Sequence, residues 1–63
     1  MYFKIFKNNK YHQPYWWVIK SNGNHATLAT SEMYVSKSDC LNAIRIVKQG
    51  CSLAQVIDST GEN

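Results

Sequence analysis

A chain of 63 residues and 7.2 kDa is long enough for one domain and too short for a large core of its own, since a domain of this size buries only about 60% of its unfolded surface. The net charge of +3, with Lys and Arg spread along the whole length, favours solubility and weak attraction to polyanions without marking a nucleic-acid function. The longest apolar run, Tyr15 to Ile19, is far too short to cross a bilayer, and the few Gly and single Pro leave no linker, low-complexity segment or internal repeat.

Taken in order, Tyr2 to Lys7 is aromatic and β-branched and reads as a first strand, closed by the turn-forming cluster Asn8-Asn9-Lys10. Phe3 and Ile5 share one face; Tyr2, Lys4 and Phe6 share the other. Pro14 cannot donate to a ladder, which places it at the mouth of a second strand, Tyr15 to Lys20, where Tyr15, Trp17 and Ile19 alternate with Trp16, Val18 and Lys20. Asn22-Gly23 is a strong hairpin signal, because both residue types tolerate positive φ, and a third strand is expected from His25 to Ser31.

Glu32 to Val35 leads into a helix start. Ser36 followed by Asp39 is a variant capping box: the hydroxyl takes a free backbone N–H and the carboxylate reaches back. Cys40, Ala43, Ile44, Val47 and Cys51 then recur at three- and four-residue steps and form one apolar stripe, flanked by Leu41 and Ile46, with Asn42, Arg45, Lys48 and Gln49 opposite. Asp39 suits the positive end of the helix dipole and Arg45 and Lys48 the negative end, and Gly50 offers a left-handed C-cap. Leu53 to Asp58 is short, apolar and β-branched toward its end, so a fourth strand is expected there, followed by a polar tail over 59–63.

The order β-β-β-α-β, with the wording TSE-x-Y-x-SK ahead of a helix bearing Cys40, Ala43, Ile44 and Val47, resembles the YegP-like family of small proteins of unknown function. The resemblance runs from Tyr2 through Asp58. It rests on Thr30, Ser31, Glu32, Tyr34, Ser36 and Lys37, with Lys20, Asn22 and Gly23 in support. Cys40 stands where the family usually has Ala, Ala43 where it favours Gly, and the segment from Gly23 to Thr30 is slightly longer than usual. The resemblance implies an α+β fold in which two units share one antiparallel sheet and exchange their C-terminal strands, with Phe3, Ile5, Trp17 and Ile19 under the helix. One unit, over 1–58, is present, so a swapped homodimer is expected; the small core asks for a partner on its own account.

The chemistry-bearing residues form no catalytic constellation. His12, His25, Cys40 and Cys51 match no metal-ligand spacing, and read as two loop histidines and two core thiols. Cys40 and Cys51 at opposite ends of the helix lie roughly 16 Å apart, beyond the ~7 Å reach of a disulfide, so both are expected reduced. Lys37 near Cys40 would favour a thiolate, but the apolar stripe argues for an inert, buried thiol. Thr30, Ser31, Glu32, Tyr34, Ser36 and Lys37 lie where a helix N-terminus attracts anions, yet Ser36 and Asp39 already occupy the free donors, so a structural cap-and-turn role is the expectation.

Tyr2, Lys4, Phe6, Trp16, Val18 and Lys20 mix rings and ammonium groups on the remaining sheet face. Packing against a protein partner is the first reading, and a stacking platform for single-stranded nucleic acid the alternative. No enzyme activity, cofactor, metal or membrane contact is expected. Reduced thiols and an N-terminus without signal-peptide character suit the cytoplasm.

Overall fold

The computed structural model describes residues 1–62. It is an α+β unit: three antiparallel strands, β1 (Tyr2–Lys7), β2 (Tyr15–Lys20) and β3 (Thr27–Thr30), in the spatial order β1-β2-β3, and one helix, α1 (Lys37–Gly50). β1 and β2 pair in regular register from Tyr2 opposite Lys20 to Lys7 opposite Tyr15. Alternation therefore puts Phe3, Ile5, Trp17 and Ile19 on one face and Tyr2, Lys4, Phe6, Trp16, Val18 and Lys20 on the other. The first hairpin loop is tied internally. Asn8 N–H donates to the Pro14 carbonyl at 2.9 Å, Tyr11 N–H to the Asn8 carbonyl at 3.3 Å, and Lys10 N–H to Asn8 Oδ1 at 3.0 Å.

The second hairpin departs from the expectation. Neither Asn22 nor Gly23 has positive φ; among the described residues that conformation occurs at His25, with φ 56°, and at Gly61. A six-residue loop is closed by Ser21 N–H to the Ala26 carbonyl at 3.0 Å. Inside it Asn24 Oδ1 accepts from Ser21 Oγ at 2.8 Å and Ala26 N–H at 3.1 Å. With the Asn24 amide supplying the turn's acceptor, the left-handed position moves two residues beyond Gly23. β3 accordingly starts at Thr27, not His25, and a bulge absorbs one residue: Ile19 faces Ala29 and Lys20 faces Thr27, which leaves Leu28 unpaired between them.

The helix packs against β2. Ser36, at φ −125° and ψ 155°, is its N-cap, and its Oγ accepts from Asp39 N–H at 3.1 Å. Cys40 is fully buried and Ala43, Ile44 and Val47 are half-buried, so most of the expected stripe faces the sheet. Arg45 bonds to Asn42 at 2.8 Å and to Gln49 at 3.3 Å on the outer side. Ser36→Ala removes the cap acceptor and should cost about 1 kcal/mol, or roughly 4–8 °C in melting temperature. An unchanged calorimetric midpoint would place the cap elsewhere.

Two expectations for the end of the helix are corrected. Gly50 is right-handed, with φ −101° and ψ −14°, and the chain continues into a 3-10 turn over Cys51–Leu53. Cys51 N–H completes a bond to the Val47 carbonyl, so the last turn is closed without a left-handed cap. That extension carries Cys51 past the sheet into solvent, and it is not a core thiol.

Nor does Leu53 to Asp58 form a strand on its own sheet. Beyond Ala54, at φ −69° and ψ 131°, it runs outward with Leu53 89%, Val56 95% and Ile57 76% exposed. Thr60 N–H and Oγ1 then bond to the Asp58 carboxylate at 2.9 and 2.7 Å, holding its carboxyl below the usual range.

The protruding segment shows in the dimensions. A folded monomer of this mass should expose about 4,100 Å² and have a radius of gyration of about 10.6 Å. This chain exposes 5194 Å², and its Cα radius of gyration is 13.9 Å.

Candidate functional site

The residues of the TSE-x-Y-x-SK stretch serve the backbone. Thr30 is exposed and pairs with Val18 at the end of β3, after which the chain leaves the ladder. Ser31 bridges the gap: its N–H donates to the Trp17 carbonyl at 2.9 Å, its Oγ accepts from Trp17 N–H at 2.9 Å, and its hydroxyl donates to the Glu32 carbonyl at 2.7 Å. A side-chain oxygen thus replaces a strand carbonyl opposite the buried Trp17. Tyr34 returns to the sheet through two backbone bonds with Tyr15, at 3.1 and 2.7 Å. Ser36 is the cap, and Lys37, the first helical residue, reaches toward Phe3, Ile5, Lys7 and Tyr15 at a hollow of about 650 Å³. The six side chains do not converge on one point.

Beneath the helix, Trp17 is 8% exposed and meets Phe3 edge to face at 5.3 Å. Its indole Nε1 is buried without a hydrogen-bond partner. On the opposite face, Phe6 and Trp16 stack with centroids 5.3 Å apart and planes 17° apart, both half-buried. Lys4 Nζ lies 5.3 Å from the Phe6 centroid. Lys20 Nζ donates to the His25 carbonyl at 3.3 Å, and the Tyr2 hydroxyl meets His25 Nδ1 at 3.0 Å, so the left-handed loop residue fastens one end of this face. Val18, at its centre, is 6% exposed, shielded by its larger neighbours. Tyr2, Lys4, Phe6, Trp16 and Lys20 are therefore brought together on one surface.

Adjoining Trp16 is an open cleft of about 620 Å³ lined also by Asn8, Tyr11, Gln13 and Met33. Sequence reasoning missed these four. They carry no motif and come from two separate loops; an exposed aromatic, Tyr11, inside an otherwise polar turn was the only signal.

Among the described residues no three His, Cys, Asp or Glu side chains cluster as metal ligands. His12 is exposed, and burial pushes the Cys40 thiol up, away from the reactive thiolate. Brief alkylation of the native chain should give one adduct, at Cys51, and no intramolecular bridge on non-reducing mass analysis. Modification at Cys40 or a Cys40–Cys51 bridge would overturn the helix placement.

A family model described as a domain of unknown function, DUF1508, matches residues 7–58. The chain belongs to this family. It is the YegP-like family of small proteins of unknown function, matched here from Lys7 rather than from Tyr2, so most of β1 precedes the matched segment. No significant match was found to curated proteins or among solved structures. In this YegP-like chain the family stretch Thr30–Lys37 joins sheet to helix, whereas half of the aromatic and basic face, Tyr2, Lys4 and Phe6, is contributed by the part of β1 that precedes the match.

Proposed function

We propose that this YegP-like chain is a non-catalytic, cytoplasmic interaction or accessory module that works as a homodimer with exchanged C-terminal strands. The observation that carries the reading is the segment Leu53–Asp58, which leaves the 3-10 turn at Leu53, joins no ladder of its own chain and holds Leu53, Val56 and Ile57 exposed. Exposing Leu53, Val56 and Ile57 costs each side chain about 1.5–3 kcal/mol relative to burial. The surface in excess of that expected for a monomer of this mass, about 1,100 Å², exceeds the ~800 Å² per partner of an ordinary stable interface.

A receiving site is also at hand. β1 is an edge strand of six residues, regular and without a bulge, beside a hollow lined by Phe3, Ile5, Phe6 and Tyr15 together with Lys4, Lys7 and Lys37. Such an edge invites another strand, and the run after the 3-10 turn, Ala54 to Asp58, is within one residue of its length. β3, the other edge, is shorter and bulged. Two free cysteines suit a reducing compartment. No helix among the described residues is long and apolar enough to cross a membrane.

The test is light scattering and thermal melting over a hundredfold dilution. Dimeric mass and a midpoint that falls with dilution are expected, because dissociation and unfolding are one transition in a strand-exchanged dimer. A compact monomer at micromolar concentration, melting independently of dilution, would sink the proposal. The tagged dimer is then the bait for a pull-down of the protein it serves.

A further inference from the structure

We infer that the cleft beside Trp16, together with the open sheet face leading to it, binds single-stranded nucleic acid, with one base in the cleft and the backbone phosphates against Lys4, Lys10 and Lys20. The inference concerns the face opposite the helix and does not depend on strand exchange.

Charge is the first observation. No acidic residue occurs before Glu32, so the part of the chain that builds the three strands and both hairpin loops carries four lysines, Lys4, Lys7, Lys10 and Lys20, and no carboxylate. The part from Glu32 onward carries the other three cations and all four acids, Glu32, Asp39, Asp58 and Glu62. The net charge of +3 is thus +4 on the sheet half and −1 on the rest. Polyanions are drawn to surfaces of one sign, and a polyanion with exposed bases is the class that also uses aromatic rings.

Geometry is the second. In the Phe6–Trp16 stack, 17° from parallel, the Lys4 ammonium lies over the Phe6 ring, and half-exposed Trp16 is the member of the pair that lines the cleft. The cleft lies at the strand ends, between Trp16 of β2, the loop joining β1 to β2, and Met33 after β3. Trp16 and Tyr11 supply rings for a base to lie against, Met33 a polarisable wall, and Asn8 and Gln13 amides that match the donors and acceptors on a base edge. The loop bonds at Asn8, Lys10 and Tyr11 fix Asn8 and the Tyr11 backbone before any ligand arrives. Duplex DNA hides its bases and cannot use such a cleft.

The probe is a fluorescently labelled twelve-residue oligo-dT, titrated with the full chain by anisotropy, with the same sequence as a duplex and thymidine monophosphate alongside. The single strand should bind more tightly than either, with log K falling against log salt at a slope of roughly −2 for three phosphates neutralised. Trp16→Ala and Tyr11→Ala should each weaken binding by roughly 5- to 100-fold. Lys4→Gln, an exposed position that leaves the fold alone, should reduce the salt slope by about 0.7.

Absence of salt-dependent binding by the unaltered chain overturns the inference. So does equal affinity for duplex and single strand, or affinity unchanged in Tyr11→Ala and Lys4→Gln when circular dichroism shows both folded. Trp16→Ala changing the oligomeric mass, with the oligonucleotide ignored throughout, would make this face a protein interface instead.

Discussion

In the proposed strand-exchanged dimer, a chain ending at Ser52 is expected to lose the dimeric mass and the cooperative melting transition together. The reasoning is sharp because the removed residues have almost no contacts to lose at home: Leu53, Val56 and Ile57 are 89%, 95% and 76% exposed, and the backbone beyond Ala54 joins no ladder of its own chain. For a monomer the deletion would be close to neutral, within about 0.5 kcal/mol, as for surface changes generally. In the exchanged dimer the same deletion uncovers an edge and three apolar side chains' worth of core on each protomer, several kcal/mol in a domain whose whole stability is about 3–9 kcal/mol. Retention of a sharp, unshifted thermal transition in the truncated chain would place the segment outside the core of any assembly.

Trp17→Ala should remove a large share of the chain's stability, while Trp16→Ala should remove little. Trp17 lies under the helix, 8% exposed, against Phe3, and emptying such a site costs about 3–5 kcal/mol. Trp16 is half-buried on the other face, where its loss removes chiefly the Phe6 stack, worth about 0.5–1.5 kcal/mol. Urea titration of the two variants checks the order. Equal destabilisation would show that both faces of β2 are core, and with it that the face bearing Trp16 is covered.

The first hairpin and the helix were legible because each is specified by signals within reach of one another: period-two rings on two strands, Pro14 at the strand mouth, Ser36 three residues before Asp39, and a stripe from Cys40 to Val47. The second hairpin was not. Asn22-Gly23 is a strong local signal that lost to Asn24, whose side chain closes a longer loop and shifts positive φ to His25. Helix termination failed for a similar reason: Gly50 permits a left-handed cap without requiring one, and the chain took one more turn.

The fourth strand is different in kind, since Leu53–Asp58 has the composition of a strand and no ladder partner within its own chain. As for the candidate site, the alternation of β1 and β2 already grouped Tyr2, Lys4, Phe6, Trp16 and Lys20. The cleft residues Tyr11, Gln13 and Met33 belong to loops, and only the folded backbone brings them to Trp16.

Alternation along β2 gives two adjacent indoles opposite surroundings, and that makes the protein its own spectroscopic gauge. Trp17 is dry, so it should emit toward the blue and resist quenching by iodide, whereas half-exposed Trp16 should emit toward the red and quench readily. The Trp17 indole N–H is shut away without an acceptor, so its proton resonance should sit apart from that of Trp16 and move if assembly brings an oxygen to it. One emission spectrum and two indole signals therefore separate events on the helix side of the sheet from events on the open side, with no label attached to either.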